Sequence, residues 1–564
     1  MPDTAALLSH FYLELEGAGE TVIHEIMDDL VSISVESSLH LPDVATIILH
    51  DTRLKWIDAP SLEPGKALKV SAKASGAEGS LFDGEIIELE PDFAAQTHRL
   101  IIRAFDRLHR LSRGKYVRSF QNVSDGDLVQ KVAREVGLQA QAGPTSQVHP
   151  YVFQNNETNL AFLKGRASAL GFLLYAEGKT LHFKEPKADD APIELQWATT
   201  LMEFRPRMTT VSQVTDATVR GWDPATRRAI TGRVQNGNGA PAVGESRKGG
   251  QLAKSAFNLE APHLTADRPI RSQAAADRLA QTMADRHTSR FIEADGVCAG
   301  NAKIVAGVKV KVSAIGDRFS GTYYVTGATH DYSPDHGYTT RFSVSGQHPT
   351  SLLGLLSPEP EQTGSMRGLV IGIVTDNADP DKLGRVKVQY PWLSTDHASD
   401  WARVVVPGGG VERGMAFLPE INDEVLVGFE LGDVHHPYVL GGLWNGKDKP
   451  PGDPDKMVSG SKVEQRVIRS RSGHMITLDD SDGDGGVKIE DRNGNVVQLK
   501  TNGDELVMTT KGNVSVDSKA NMSVKTQGNV TIEATGQVEI KGMGVTIDGG
   551  AGTVDVKGSM INLN

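Results

Sequence analysis

The sequence predicts a mainly β chain with a minor α+β part, ending in a repeat. Three observations carry this. The 59 glycines beside only 6% aromatic residues fit many strands joined by tight turns. Short alternating apolar and polar runs recur through most of the chain. From residue 503 onward small residues return about every eight positions, at Gly512, Ala520, Gly528, Gly536, Gly544 and Gly552.

Between those small residues lie apolar pairs: Leu506/Met508, Val514/Val516, Met522/Val524, Val530/Ile532, Val538/Ile540, Val545/Ile547, Val554/Val556 and Ile561/Leu563. Residues two apart share one face of a strand. Ordering eight residues costs more free energy than two buried Val or Ile side chains return, so one ribbon cannot stand alone. Its face is closed either by other copies of the same stripe or by a single-chain parallel β-helix, whose rungs are typically longer than eight residues. The rim is polar and mixed in sign, with Asp517, Lys519, Lys525, Glu533, Glu539, Lys541, Asp555 and Lys557.

The length suggests three or four domains. A formal net charge of −12 argues against a nucleic-acid backbone as the main partner. The single cysteine, Cys298, allows no intrachain disulfide. The first ten residues lack a basic n-region and a long apolar core, and no run of about 18 apolar residues occurs. The expectation is that the protein, if it leaves the cell, does so without a signal peptide.

In chain order, residues 11–110 alternate like the strands of a small barrel or sandwich, punctuated by Leu41-Pro42-Asp43 and Glu63-Pro64-Gly65. Two helices follow. Ser124 caps the first, Asp127 sits three residues on, and Gly137 ends it; Thr158 starts the second and Gly171 stops it. A hairpin turns at Glu177-Gly178. Strands resume from 201 to 344, broken by a helix over 272–290 with Ala275, Leu279 and Met283 inward. Residues 233–262, rich in Gly, Ala, Pro and Ser, predict a mobile loop. The expected organisation is a hub at 1–345, a linker at 346–366, a five-stranded OB-like barrel at 367–447, a neck of hairpins at 448–502 and the repeat at 503–564.

This order of parts resembles a known family. Leu108-His109-Arg110-Leu111, the run Asn155, Glu157, Thr158, Leu160, and Val219-Arg220-Gly221-Trp222-Asp223-Pro224 are similar to signposts of phage late-control protein D. Gly384-Arg385-Val386-Lys387-Val388, the stretch from Leu418-Pro419-Glu420 through Asn422-Asp423-Glu424-Val425, and Pro437-Tyr438-Val439-Leu440-Gly441 resemble the OB domain of baseplate protein V. Fused to a β-repeat, they look like a VgrG spike of a contractile injection system. The resemblance implies a homotrimer: a hub of two β-barrel subdomains with a helical insert, an OB barrel, and a triple-stranded β-helix or β-prism needle formed by three chains. Its core would be Val514, Val516, Met522, Val524, Val530, Ile532, Val538, Ile540, Val545, Ile547, Val554 and Val556. It also implies a hexameric inner tube above the hub, baseplate partners, transient contact with a target membrane, and a PAAR-like tip protein seated on Ile561 and Leu563. Leu39-His40-Leu41-Pro42-Asp43 looks more like spikes of extracellular phage-tail-like particles.

No catalytic residue, cofactor or metal site is expected. Asp480-Ser481-Asp482-Gly483-Asp484-Gly485 with Asp491 in twelfth place matches a calcium-loop spacing, but its flanks are strands, which favours a polar hairpin tip. His435-His436-Pro437 and the group His330, Asp331, Asp335, His336 are taken as turns. The alternatives are a peptidoglycan hydrolase with an unrecognised site in the hub and an adhesin whose repeat is a receptor-binding stalk.

Overall fold

The computed structural model describes residues 10–562 except 75–76, 95–96, 146, 187–190, 225, 347–365, 367, 394–397 and 484, so most of the expected linker lies outside the described residues. The chain forms two compact units, 1–447 and 448–564.

The first unit is built on a ten-stranded sheet. Its order is His10–Leu15, Ala67–Ala74, Ala77–Phe93, His98–Asp106, Val44–His50, Leu30–Ser38, Gly327–Ser333, Gly337–Val344, Ile292–Ala299 and Leu201–Met208. Six strands come from the first hundred or so residues and four from beyond 200. The join is antiparallel, with Ile33 opposite Tyr332 and Ser38 opposite Gly327. Pairing across this join makes one continuous sheet. Alternation in Leu30–Ser38 puts Ile33 and Val35 fully inside. Leu49, Val70, Ile86, Leu100 and Ile102 pack with Ile33 and Val35 in one core, while Ile304, Val310, Tyr323 and Phe342 fill a second.

The helices begin and end where side-chain chemistry places them. Ser124 Oγ accepts the amide of Asp127 at 3.2 Å, and the Asp127 carboxylate accepts the amide of Ser124 at 3.0 Å, a reciprocal cap for Asp125–Glu135. Thr158 Oγ1 accepts the amide of Ala161 at 3.1 Å, and Gly171 closes Asn159–Leu170 with φ +71°. Ser272 caps Gln273–Ser289. That helix lies so near the strand Arg228–Val234 that a Cβ on Gly232 would sit 2.5 Å from the Ala276 carbonyl.

Residues 233–262 are not a simple loop. Ala242–Val243 pairs with Gly321–Tyr324, and Gly249–Phe257 is a helix ended by left-handed Asn258. The glycines that suggested mobility serve close approach instead: a Cβ on Gly250 would meet the Val214 carbonyl oxygen at 2.0 Å. A further helix, Glu20–Asp28, carried no expectation from sequence.

The five strands expected between 367 and 447 form one sheet, ordered Lys387–Gln389, Val370–Asp376, Glu424–Phe429, Pro437–Gly442, Arg403–Val404. A bridge between Val386 and Ala402 brings its two edges together into a barrel. Val374, Val388, Tyr390, Val425, Val427 and Val439 fill it.

The second unit begins with a five-stranded antiparallel meander: Gln465–Arg469, Met475–Asp479, Gly486–Glu490, Val496–Lys500 and Glu505–Thr509. Leu506 and Met508 therefore belong to the last paired strand. From 510 to 562 the chain has no paired strand, and every described residue from 508 on is exposed.

Gly232→Ala should destabilise the first unit by about 2–4 kcal/mol, since neither backbone can yield cheaply. Gly446→Ala, where a Cβ meets nothing within 4 Å, should be near neutral; thermal denaturation of the two variants checks this.

Candidate functional site

The feature of the second unit that most calls for a partner is its apolar surface. The predicted stripe is uncovered from end to end: Val514, Val516, Met522, Val524, Val530, Ile532, Val538, Ile540, Val545, Ile547, Val554 and Val556 are between 52% and 74% exposed. Ile561 is half exposed, and Leu563 lies outside the described residues. The meander continues the same surface. Its register aligns Ile468, Ile476, Ile489, Val497 and Met508 in one cross-strand row. Leu478, Val487, Leu499 and Leu506 form the next row on the same face. All but Val487 are large exposed apolar side chains. The opposite face carries Asp479, Thr477, Lys488, Gln498 and Lys500 around an open groove. Single exposed apolar residues are ordinary; two aligned rows running into a stripe are not.

Asp484 lies outside the described residues, and the rest of the calcium-loop spacing does not close into a loop. Gly486–Glu490 is a strand and Asp479 pairs with Gly486, so Asp480 and Asp491 lie beyond its opposite ends, about 20 Å apart along it. Asp480 pairs with Arg466. Asp491 is occupied by its own turn, accepting the amides of Asn493 and Asn495 at 2.8 Å each. Among the described residues no three His, Cys, Asp or Glu side chains converge as metal ligands, and no helix is long and apolar enough to cross a membrane.

His330 is a satisfied core residue. Burial pushes its pKa down to about 4, which leaves it neutral; Nε2–H donates to the Ile304 carbonyl at 3.0 Å and Nδ1 accepts from Tyr338 Oη at 2.7 Å. Asp331 is held apart from it by Ser34 and Arg341.

His435 does more than its sequence context suggested. Its Nδ1–H donates to Asp433 at 2.7 Å, and its Nε2 accepts the backbone N–H of Phe153 at 2.9 Å, which fixes the neutral Nδ1–H tautomer. Burial works to raise the Asp433 pKa, but hydrogen bonds from His435 and His436 outweigh it and hold the carboxylate well below its ordinary range. Tyr151 meets the His435 ring edge-on at 6.2 Å. Close by, Arg271 pairs with Glu430, which also accepts Tyr438 Oη at 2.9 Å. Side chains around the barrel strand Pro437–Gly442 thus fasten it to the strand Val148–Glu157 and to the residues before helix Gln273–Ser289. The adjacent histidines were the only sequence signal of this seam; Arg271 and Glu430 gave none.

A second buried network explains one sequence signpost. Arg107, 4% exposed, donates to Asp83 at 2.8 Å and to the Gly178 carbonyl at 3.1 Å. Arg110 reaches Glu85 and the Val136 carbonyl at the end of the first capped helix. Burial would raise the Glu85 pKa, but hydrogen bonds from Arg110 and His109 lower it. Leu108-His109-Arg110-Leu111 is therefore the hinge pin between the large sheet and the helical insert.

The model of the Alg8 N-terminal domain family matches residues 12–334. That of the type VI secretion system/phage-baseplate injector OB domain matches residues 370–444. The type VI secretion system spike protein VgrG5 of Pseudomonas aeruginosa is 31% identical over 165 residues, covering 28% of this chain and 19% of that protein. Actin cross-linking toxin VgrG1 of Vibrio cholerae is 32% identical over 98 residues, covering 17% of this chain and 9% of that protein. The chain thus spans less than a fifth of the length of these curated relatives. A chain of the Francisella PdpA–VgrG complex superposes with a TM-score of 0.52 at 9% identity, over 85% of this chain and 76% of that one, a likeness of fold.

His435→Ala should cost about 1–3 kcal/mol and speed amide hydrogen exchange at Phe153, because that N–H loses its acceptor and Asp433 one donor. His436→Ala, which removes no contact to Phe153, should leave that amide protected.

Proposed function

Because the chain belongs to the Alg8 N-terminal domain family and continues into an injector OB domain, we propose that it is the VgrG-like central spike and hub of a contractile injection machine. The observation that carries this reading is the uncovered apolar stripe continuing from the two apolar rows of the meander. Three copies face their stripes inward and close a prism whose mixed-charge rim stays in water. Val514, Val516, Met522, Val524, Val530, Ile532, Val538, Ile540, Val545, Ile547, Val554 and Val556 form its core, with Ile476, Ile489 and Val497 beginning it. Burying the stripe removes apolar area from water, and edge-to-edge pairing supplies the backbone partners that 510–562 lacks alone.

The hub joins a hexameric inner tube and baseplate proteins, and sheath contraction drives the needle through a target envelope. The role is structural: no catalytic group or nucleic-acid partner is assigned. Assembly takes place in the bacterial cytoplasm, and the particle is of the phage-tail-like type released from the cell, in keeping with Leu39-His40-Leu41-Pro42-Asp43. Ile561 and Leu563 seat a PAAR-like tip protein.

Native mass spectrometry at micromolar concentration should give a trimer, loosened by truncation near residue 503; a monomer would refute the reading. Val530→Asp should lower trimer stability far more than Thr531→Asp, because three unpaired carboxylates would crowd the shared interior. Equal thermal shifts would mean that the inside and outside of the ribbon are exchanged. At the tip, Ile561→Asp with Leu563→Asp should abolish capture of a PAAR-like protein while the trimer survives. Wild-type capture by the double variant would remove that assignment.

A further inference from the structure

The meander is electrically polarised along its strands. An up-and-down sheet puts alternate turns on opposite edges. One edge holds the turns 470–474 and 491–495 and the segment 510–512; the other holds 480–485 and 501–504. The first edge carries Arg469, Arg471, His474, Arg492 and Lys511, all exposed. Its two acidic residues are already engaged, Asp491 by its own turn and Glu490 by Lys488 at 2.6 Å. The opposite edge carries Asp479, Asp480, Asp482, Asp504 and Glu505 against Arg466 and Lys500.

The basic turns are packed side by side. A Cβ on Gly473 would lie 3.8 Å from Arg492 Cβ, and one on Gly494 would lie 3.3 Å from Lys511 Nζ. The Lys511 amide donates to Asn495 Oδ1 at 2.9 Å, tying the outgoing chain to the middle turn. Arg469, Arg492 and Lys511 have no ion-pair partner among the described residues. The sheet thus concentrates cations on one edge of a protein whose net charge is −12. It is also the edge from which the unpaired ribbon departs.

We propose that this basic edge is a collar that docks on an anionic lipid surface. The inference rests on the spike reading: a needle entering a bilayer along the ribbon brings this edge, and not the acidic one, against the headgroup phosphates. Turn tips of Arg and Lys suit a flat array of phosphates, and three copies multiply the contact. A long polyanion such as single-stranded nucleic acid is disfavoured, because the acidic edge and the net charge repel any strand that extends past the turns.

The test is co-flotation of the full chain with vesicles of phosphatidylcholine, alone or mixed with phosphatidylglycerol, with native mass recorded in parallel. Wild type should float with the mixed vesicles only, and less so as salt rises. Each neutralised side chain should weaken binding roughly fivefold, and each substitution removes three of them from a trimer, so Arg492→Gln alone should lose about a hundredfold, and Arg469→Gln with Arg492→Gln and Lys511→Gln should abolish flotation. Asp482→Asn with Asp504→Asn should bind at least as well as wild type. Equal flotation with both vesicle types, or undiminished binding by the triple variant, would overturn the proposal. So would tight binding of single-stranded DNA by protein that ignores the vesicles. A monomeric mass with charge-dependent flotation intact would instead sink the spike reading and leave the lipid surface standing.

Discussion

The constraint on which the rest of this molecule depends is an apolar stripe that its own chain leaves uncovered. From residue 510 to 562 the backbone has no sheet partner, while a pair of apolar residues two apart recurs in each rung. A backbone without partners and an apolar face in water are both unfavourable, and in the proposed assembly the same event relieves both: association with identical ribbons. The meander prepares for it. Its two apolar rows have the same period-two phase as the ribbon, so the face starts on a self-paired sheet and passes to a segment with none.

Within the first unit, polar contacts fix how its parts are joined. The large sheet, the helical insert and the barrel are joined by buried polar contacts rather than by apolar packing alone. Arg107 and Arg110 pin the insert to the sheet through Asp83 and Glu85. His435 and the Arg271–Glu430 pair pin the barrel to the strand and helix beside it. Directional hydrogen bonds of this kind fix orientation, whereas apolar contacts slide more easily.

Much of this was legible in the sequence where a local rule decides the outcome. Ser124 and Thr158 cap the helices they were expected to begin, and Ser272 caps the helix expected from 272 on, because capping is settled within four residues. The five strands expected between 367 and 447 are there because each alternates within a few residues. The repeat was legible because its period is fixed. What stayed hidden is what long-range pairing decides. Nothing near residue 33 announces that Tyr332 lies opposite, so the continuity of the ten-stranded sheet stayed hidden. Glycines in 233–262 suggested mobility, since composition does not distinguish a flexible glycine from one pressed against a backbone. The seam was hidden for the same reason: the partner of His435 is the amide of Phe153, which has no side-chain signature.

Amide hydrogen exchange over residues 512–562 of the intact protein tests the central claim most directly. In a lone chain these amides have no acceptor in a sheet and exchange at the rate of an unfolded peptide. Closure by three copies pairs them and removes them from water, so the account predicts protection comparable to that of the meander strands. Unprotected exchange throughout 512–562, with the meander and the hub protected, would contradict it.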